Sequence, residues 1–149
     1  MDRRYPSAPQ VGVAAVVWRD DRVLLVRRAR PPRKGEWSLP GGLQKLGETV
    51  FEAACREVLE ETRVRVRGIG LVDVVDLVDR EPDNGRIVYH YTLVDVLAEW
   101  TDGEPVAADD AAEAAWVAAT DIAGLGLWSE TERVIAKARQ MWLARRSFS

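Results

Sequence analysis

A chain of 149 residues, 47% of them apolar, with a formal charge of −3 is long enough to bury one core and too apolar to be disordered. The slight acidic balance argues against a general nucleic-acid binder, which usually carries a basic excess, but leaves room for a small phosphorylated ligand on a local basic patch. A single cysteine, Cys55, excludes an intrachain disulfide and favours a cytoplasmic setting.

The first ten residues, MDRRYPSAPQ, carry charge and no apolar stretch of the signal-peptide kind. They read as a loose arm on a single domain spanning 1–149. Residues 11–18 (VGVAAVVW) and 22–28 (RVLLVRR) are strand-like runs parted by the turn-prone Arg19, Asp20 and Asp21, and the first is too short to span a bilayer. Residues 29–37, rich in Pro, Gly and cations, form a surface loop, and SLPGGL (38–43) a short extended piece ending at Gly41 and Gly42. Thr49 with Glu52 makes a capping box that starts a helix at about Val50.

On a wheel of this helix Phe51, Ala54, Cys55, Val58 and Leu59 gather on one side, with Glu57, Glu60 and Glu61 roughly opposite. The expectation is a helix that docks by one face and presents acid on the other. Two β-rich stretches, 64–78 and 86–100, flank the turn signal EPDNG (81–85). A loop (101–110) leads to a short strand, EAAWVA (113–118), and Ser129 with Glu132 caps a last helix running to about Arg146. No repeat, low-complexity segment or domain boundary is visible.

Carboxylates at i, i+3 and i+4 project from neighbouring turns of one helix face. At an effective dielectric of about 20, two of them about 5 Å apart repel by roughly 3 kcal/mol. A Mg²⁺ or Mn²⁺ ion, which prefers an oxygen shell, would remove that repulsion. Three glutamates alone read better as a solvated acidic face, where like charges at i and i+4 cost only a few tenths of a kcal/mol. Of the cations before the helix (Arg27, Arg28, Arg30, Arg33 and Lys34), Arg28 at a strand end is the candidate for phosphate, with Arg30 near it. The rest read as a solvated charge run. Trp37 could stack on a base or simply pack. His90 is the only histidine, so a multi-histidine zinc site is excluded.

Gly42, Glu48 six residues on, then Arg56-Glu57-Val58, Glu60-Glu61 and a closing Val64, preceded by LPGG, together resemble the Nudix box of pyrophosphate hydrolases. The chain departs from that pattern at Arg63, where the family usually has glycine. The resemblance implies an α/β fold, a Nudix-type α/β/α sandwich with a mixed β-sheet. It implies Mg²⁺- or Mn²⁺-dependent hydrolysis of the pyrophosphate bond in a nucleoside diphosphate derivative, first of all ADP-ribose or a related nucleotide sugar. Pro82 lies near the place where ADP-ribose hydrolases carry a proline. Alternatives are a nucleoside triphosphate pyrophosphohydrolase that sanitises nucleotides and a non-catalytic module that senses a nucleotide sugar.

By the same resemblance Glu57 and Glu61 are metal ligands, Glu60 a further ligand and the Gly41 carbonyl a backbone contributor. Arg56 orients the carboxylates and Glu48 supports the loop at the helix start. The general base is Asp110 or Glu113, or a glutamate of the box itself. Gly42, Arg28, Arg30 and Trp37 lie on the substrate side. The partner is a small nucleotide, with no nucleic acid or membrane expected, and a homodimer is plausible because many relatives are dimers.

Overall fold

The computed structural model of the chain describes residues 3–30 and 33–146. Pro31 and Pro32 of the expected surface loop, and Met1 and Asp2 of the expected arm, lie outside the described residues. The β-branched run near the N-terminus becomes β1 (Gln10–Arg19), buried on both faces. Val13, Ala15 and Val17 point to one layer, Val16 and Trp18 to the other. A strand covered on both sides loses the polar alternation of a half-exposed one, which is why VGVAAVVW is continuously apolar.

β2 (Arg22–Arg28) turns back antiparallel to the end of β1 through Asp20, whose φ of 55° an aspartate tolerates. The SLPGGL segment splits into β3 (Trp37–Ser38), on β2, and β4 (Gly41–Leu43), antiparallel to Gly12–Ala14 of β1. After helix α1 (Val50–Thr62) come β5 (Arg65–Arg80) and β6 (Ile87–Asp102), a long antiparallel pair. β6 also runs parallel to β1, from Gln10↔Tyr91 to Trp18↔Glu99. β7 (Ala111–Ala118) lies against β2, and the order β3-β2-β1-β6-β5 with β4 on β1 makes one mixed seven-stranded sheet. A 3-10 turn (Ala119–Leu125) precedes helix α2 (Ser129–Arg146).

α1 closes one face of the sheet, packing Ala53, Ala54 and Val58 on Val13, Ala15, Val17, Leu24 and Val96. α2 closes the other, packing Val134, Ile135 and Ala138 on Val16, Trp18, Leu25 and Leu97. Each fully buried Val or Leu contributes about 1.5–3 kcal/mol, against about 0–1 kcal/mol for an exposed ion pair such as Arg139–Asp21. The two apolar layers therefore hold this α/β/α sandwich together. Among the described residues no helix is long and apolar enough to cross a membrane.

The sequence expectations differ from the structure in extent. β5 and β6 each run two residues past the expected ends, to Arg80 and Asp102, and β7 starts two residues early. The 3-10 turn was not expected. The arm is anchored at Tyr5, whose N–H donates to the Val88 carbonyl at 2.8 Å and whose hydroxyl bonds Glu81. The Arg86 guanidinium covers the Tyr5 ring at 3.9 Å.

The expected faces of α1 need a larger correction. Glu61 is buried at 8% exposure and Glu57 is largely covered, whereas Phe51 and Glu52 are exposed. The covered arc runs from Ala53 through Glu57 and Glu61 to Ala54, Val58 and Thr62. Two of the three glutamates therefore point inward, and only Glu60 keeps substantial solvent contact, at 40%.

Candidate functional site

α1 is fixed in position by its first turn. Thr49 Oγ1 accepts the Glu52 N–H at 3.1 Å and Glu52 Oε1 accepts the Thr49 N–H at 3.0 Å, the reciprocal bonds of a capping box. From there Glu57 and Glu61 rise on successive turns beneath the Gly41–Gly42 strand. A Cβ on Gly42 would come within 2.5 Å of Glu57 Oε1, and one on Gly41 within 2.2 Å of the Val13 carbonyl oxygen. Only glycine lets the backbone approach the carboxylates this closely. The Gly41 N–H donates to Glu61 Oε2 at 3.0 Å.

One side chain organises the rest. Arg56 donates from Nε and Nη2 to the two carboxylate oxygens of Glu48, at 2.6 and 2.9 Å, and from Nη2 to the Leu43 carbonyl at 3.0 Å. Its Nη1 reaches Glu57 Oε1 at 2.8 Å and Glu60 Oε2 at 3.2 Å. A guanidinium has five N–H groups, and each has an acceptor here.

The electrostatics follow from this crowding. The Arg56 fork and the Lys45 N–H pull the Glu48 carboxyl down to about 2. Burial pushes Glu57 up against the opposing pull of Arg56. Glu61 is pushed up to about 8, first by burial and then by the Glu57 charge, with the Gly41 N–H opposing. Asp110 adds to that rise and Arg28 counters it, so both lie within electrostatic reach of the carboxylates.

The downstream loop is tied beside α1 by backbone bonds. Ala108 N–H donates to the Glu61 carbonyl at 3.0 Å, Val106 N–H to the Thr62 carbonyl at 2.9 Å, and Ala29 N–H to the Asp110 carbonyl at 2.9 Å. Asp110 pairs with the exposed Arg30 at 3.1 Å. Glu113 sits on β7 opposite Arg27 and accepts from its Nη2 at 2.6 Å. Trp37 packs into the α2-side core, on the far side of the sheet from the glutamates. The sequence reading did not reach the Gly41–Glu61 bond or the loop tethers. Both join segments at least 20 residues apart through main-chain groups, which leave no mark in side-chain pattern.

Among the described residues no three acidic, histidine or cysteine side chains form a ready-made cation cage. Glu57 and Glu60 are turned onto Arg56, and Glu61 onto the Gly41 N–H. The donor set nonetheless fits a hard divalent cation. It offers three carboxylates, two of them poorly hydrated and forced together, served by one guanidinium and one N–H.

Comparison with known proteins places the chain in a family. The NUDIX domain family model matches residues 8–138. An ADP-ribose pyrophosphatase of Methanocaldococcus jannaschii is 39% identical over 106 residues, 71% of this chain and 60% of that protein's length. A putative 8-oxo-dGTP diphosphatase 2 of Mycobacterium tuberculosis is 36% identical over 114 residues, 76% of each chain. In structure, a MutT NUDIX hydrolase from Burkholderia pseudomallei superposes with a TM-score of 0.75 at 33% identity, covering 88% of this chain and 98% of the other. The fold is that of an enzyme class that acts on phosphorus-containing anhydrides. The chain belongs to the Nudix hydrolase family.

Proposed function

We propose that the chain, acting as a single Nudix domain, hydrolyses the pyrophosphate bond of a nucleoside diphosphate derivative, with ADP-ribose or a related nucleotide sugar as the first candidate. The observation that carries this reading is the pair Glu57 and Glu61, desolvated on successive turns against the side-chain-free Gly41–Gly42 backbone. Folding gains nothing from two carboxylates pressed together out of water, whereas a cation-dependent phosphate chemistry does.

Glu57 and Glu61 would hold a Mg²⁺ or Mn²⁺ ion, with Glu60 and the Gly41 carbonyl completing its shell. Bound there, the ion supplies charge neutralisation for the diphosphate and a lowered pKa for the attacking water. The protein's own groups do the rest. Arg56 fixes the rotamers of Glu57 and Glu60, and Glu48 fixes Arg56. Arg28, at the end of β2 beside Asp110, takes a phosphate oxygen by its planar fork. Asp110 accepts the proton of the attacking water. Glu113, committed to Arg27 on β7, is the weaker candidate for that role.

The similarity to a named ADP-ribose pyrophosphatase supports the first substrate, and that to a putative 8-oxo-dGTP diphosphatase favours a nucleoside triphosphate as the second reading. Incubation with ADP-ribose, nucleotide sugars and triphosphates in Mg²⁺ or Mn²⁺, with products identified, separates them. AMP plus ribose phosphate marks the first and pyrophosphate the second. No metal-dependent release from any of them would leave a non-catalytic sensing module instead. Glu61→Gln should cut turnover at least about 100-fold while the far-ultraviolet circular dichroism stays that of the parent. A mutant at near-parental rate would remove Glu61 from the mechanism.

A further inference from the structure

A second buried acid has no part in the hydrolytic site. Asp95 lies in the middle of β6 at 6% exposure. Its register partners are Ala14 on β1 and Asp73 on β5, and it shares the α2 face with Leu93 and Leu97. Among the described residues no donor bonds its carboxylate. Asp73, beside it, holds the nearby cations instead, Arg133 Nη1 at 2.7 Å and Lys137 Nζ at 3.6 Å. Burial pushes the Asp95 carboxyl up to about 7, and the Asp73 and Glu130 charges add to the rise against Arg133. A bare carboxylate in such a place costs several kcal/mol unless something hydrogen-bonds it.

The surroundings indicate what that something is. This face is fully covered at Val16, Trp18 and Leu97, which are 0–3% exposed, and less fully at Ala14, Leu93 and Tyr91, which are partly exposed. Asp95 sits at the border between the two. Ala14, its register partner, carries only a methyl group there, and Leu39 packs against the same apolar layer next to Pro40, whose carbonyl accepts the Ala15 N–H at 3.0 Å. β4 flanks β1 at this level through Ala14↔Gly41. Asp95 is thus two strand spacings, roughly 10 Å, from the Gly41 whose N–H holds Glu61. Measured along the sheet, that separation suits a nucleoside on the α2 face whose diphosphate rounds the edge of β4, a strand paired to β1 alone among the described strands, to reach the glutamates on the α1 face.

We propose that Asp95 is a specificity-determining residue that accepts two adjacent O–H or N–H donors from the nucleoside of the substrate. The inference rests on the chain being a nucleotide hydrolase. A carboxylate has two acceptor oxygens and, ionised, no donor, so it selects a ribose 2′,3′-diol or the N1–H and N2–H edge of a guanine and rejects a group lacking such a pair.

Equilibrium binding of AMP, GMP and their 2′,3′-dideoxy analogues, followed by tryptophan fluorescence, tests this without turnover. A diol at Asp95 makes both dideoxy analogues bind at least about tenfold more weakly than their parents. A guanine edge instead keeps both guanine nucleotides tight and both adenine nucleotides weak. In either case Asp95→Asn, of equal size, should weaken the preferred ligand at least about tenfold and erase the discrimination. With whichever diphosphate the parent hydrolyses, KM should rise while kcat moves less than about threefold. Equal affinity for all four nucleotides, or for mutant and parent, overturns the inference. Discriminating binding without hydrolysis would overturn the catalytic reading and leave Asp95 in place. Hydrolysis that ignores the Asn substitution would do the reverse.

Discussion

Arg56 shows how much of this site one residue decides. Four carboxylates, Glu48 just before α1 and Glu57, Glu60 and Glu61 in its second half, gather along one side of the helix, and three of them lean on a single guanidinium. The planar fork makes this arrangement workable, because it serves the bidentate Glu48 and the Leu43 carbonyl on one side while Nη1 bridges Glu57 and Glu60 on the other. An ammonium keeps the charge but has only three donors at one point. Arg56→Lys should therefore leave Glu57 and Glu60 free to change rotamer. The expected outcome is a loss of at least about tenfold in kcat with metal saturating, and a thermal midpoint only a few degrees lower. Steady-state rates over a Mg²⁺ titration check it, since a simple loss of metal affinity would be recovered at high Mg²⁺ and misorientation would not.

At the scale of the element, α1 was legible at its ends and misread on its faces. The Thr49–Glu52 capping box forms as the sequence suggests. The wheel, however, ranks side chains by their own polarity and cannot show what lies over them. Glu57 and Glu61 turn inward because a strand without side chains, Gly41–Gly42, passes there and offers an N–H. At the far end, Arg63 takes the left-handed conformation that glycine would take, φ 64° and ψ 9°, with its N–H on the Leu59 carbonyl at 3.0 Å. The helix thus closes in the usual way, and a non-glycine residue there bears a strain of about 1 kcal/mol. Arg63→Gly should leave kcat and KM unchanged and stability equal or up to about 1 kcal/mol higher, measured as a urea midpoint. A large fall in turnover would mean that the guanidinium contributes to the site.

The single strands and helices were readable because they carry their own periodicity, and the sandwich they build was implied by the resemblance to the Nudix box. The docking of β4 on the start of β1 was not readable, since pairing Gly41–Leu43 with Gly12–Ala14 depends on contacts some 30 residues apart. Asp95 is the sharper case. Inside YHYTLVDVLAEW it reads as one polar residue on an otherwise apolar strand, and only the placement of α2 shows that it is buried beside Asp73. Such an acid has a definite effect on the stability of the molecule. Below about pH 4 the folded and unfolded chains both hold its proton. As pH rises the unfolded chain releases the proton first, so stability falls until pH passes the folded-state value of about 7. The sign is opposite to that of a salt-bridged carboxylate. Asp95→Asn should therefore melt higher than the parent at pH 8, with the gap closing as the pH is lowered to 4, in thermal scans without nucleotide. Asp73, Glu130, Arg133 and Lys137, the charges facing it, stay in place in both proteins. A stabilised variant that has lost nucleotide discrimination is the trade-off expected where a buried charge is kept for binding. A gap that does not change with pH would assign the stability difference to packing.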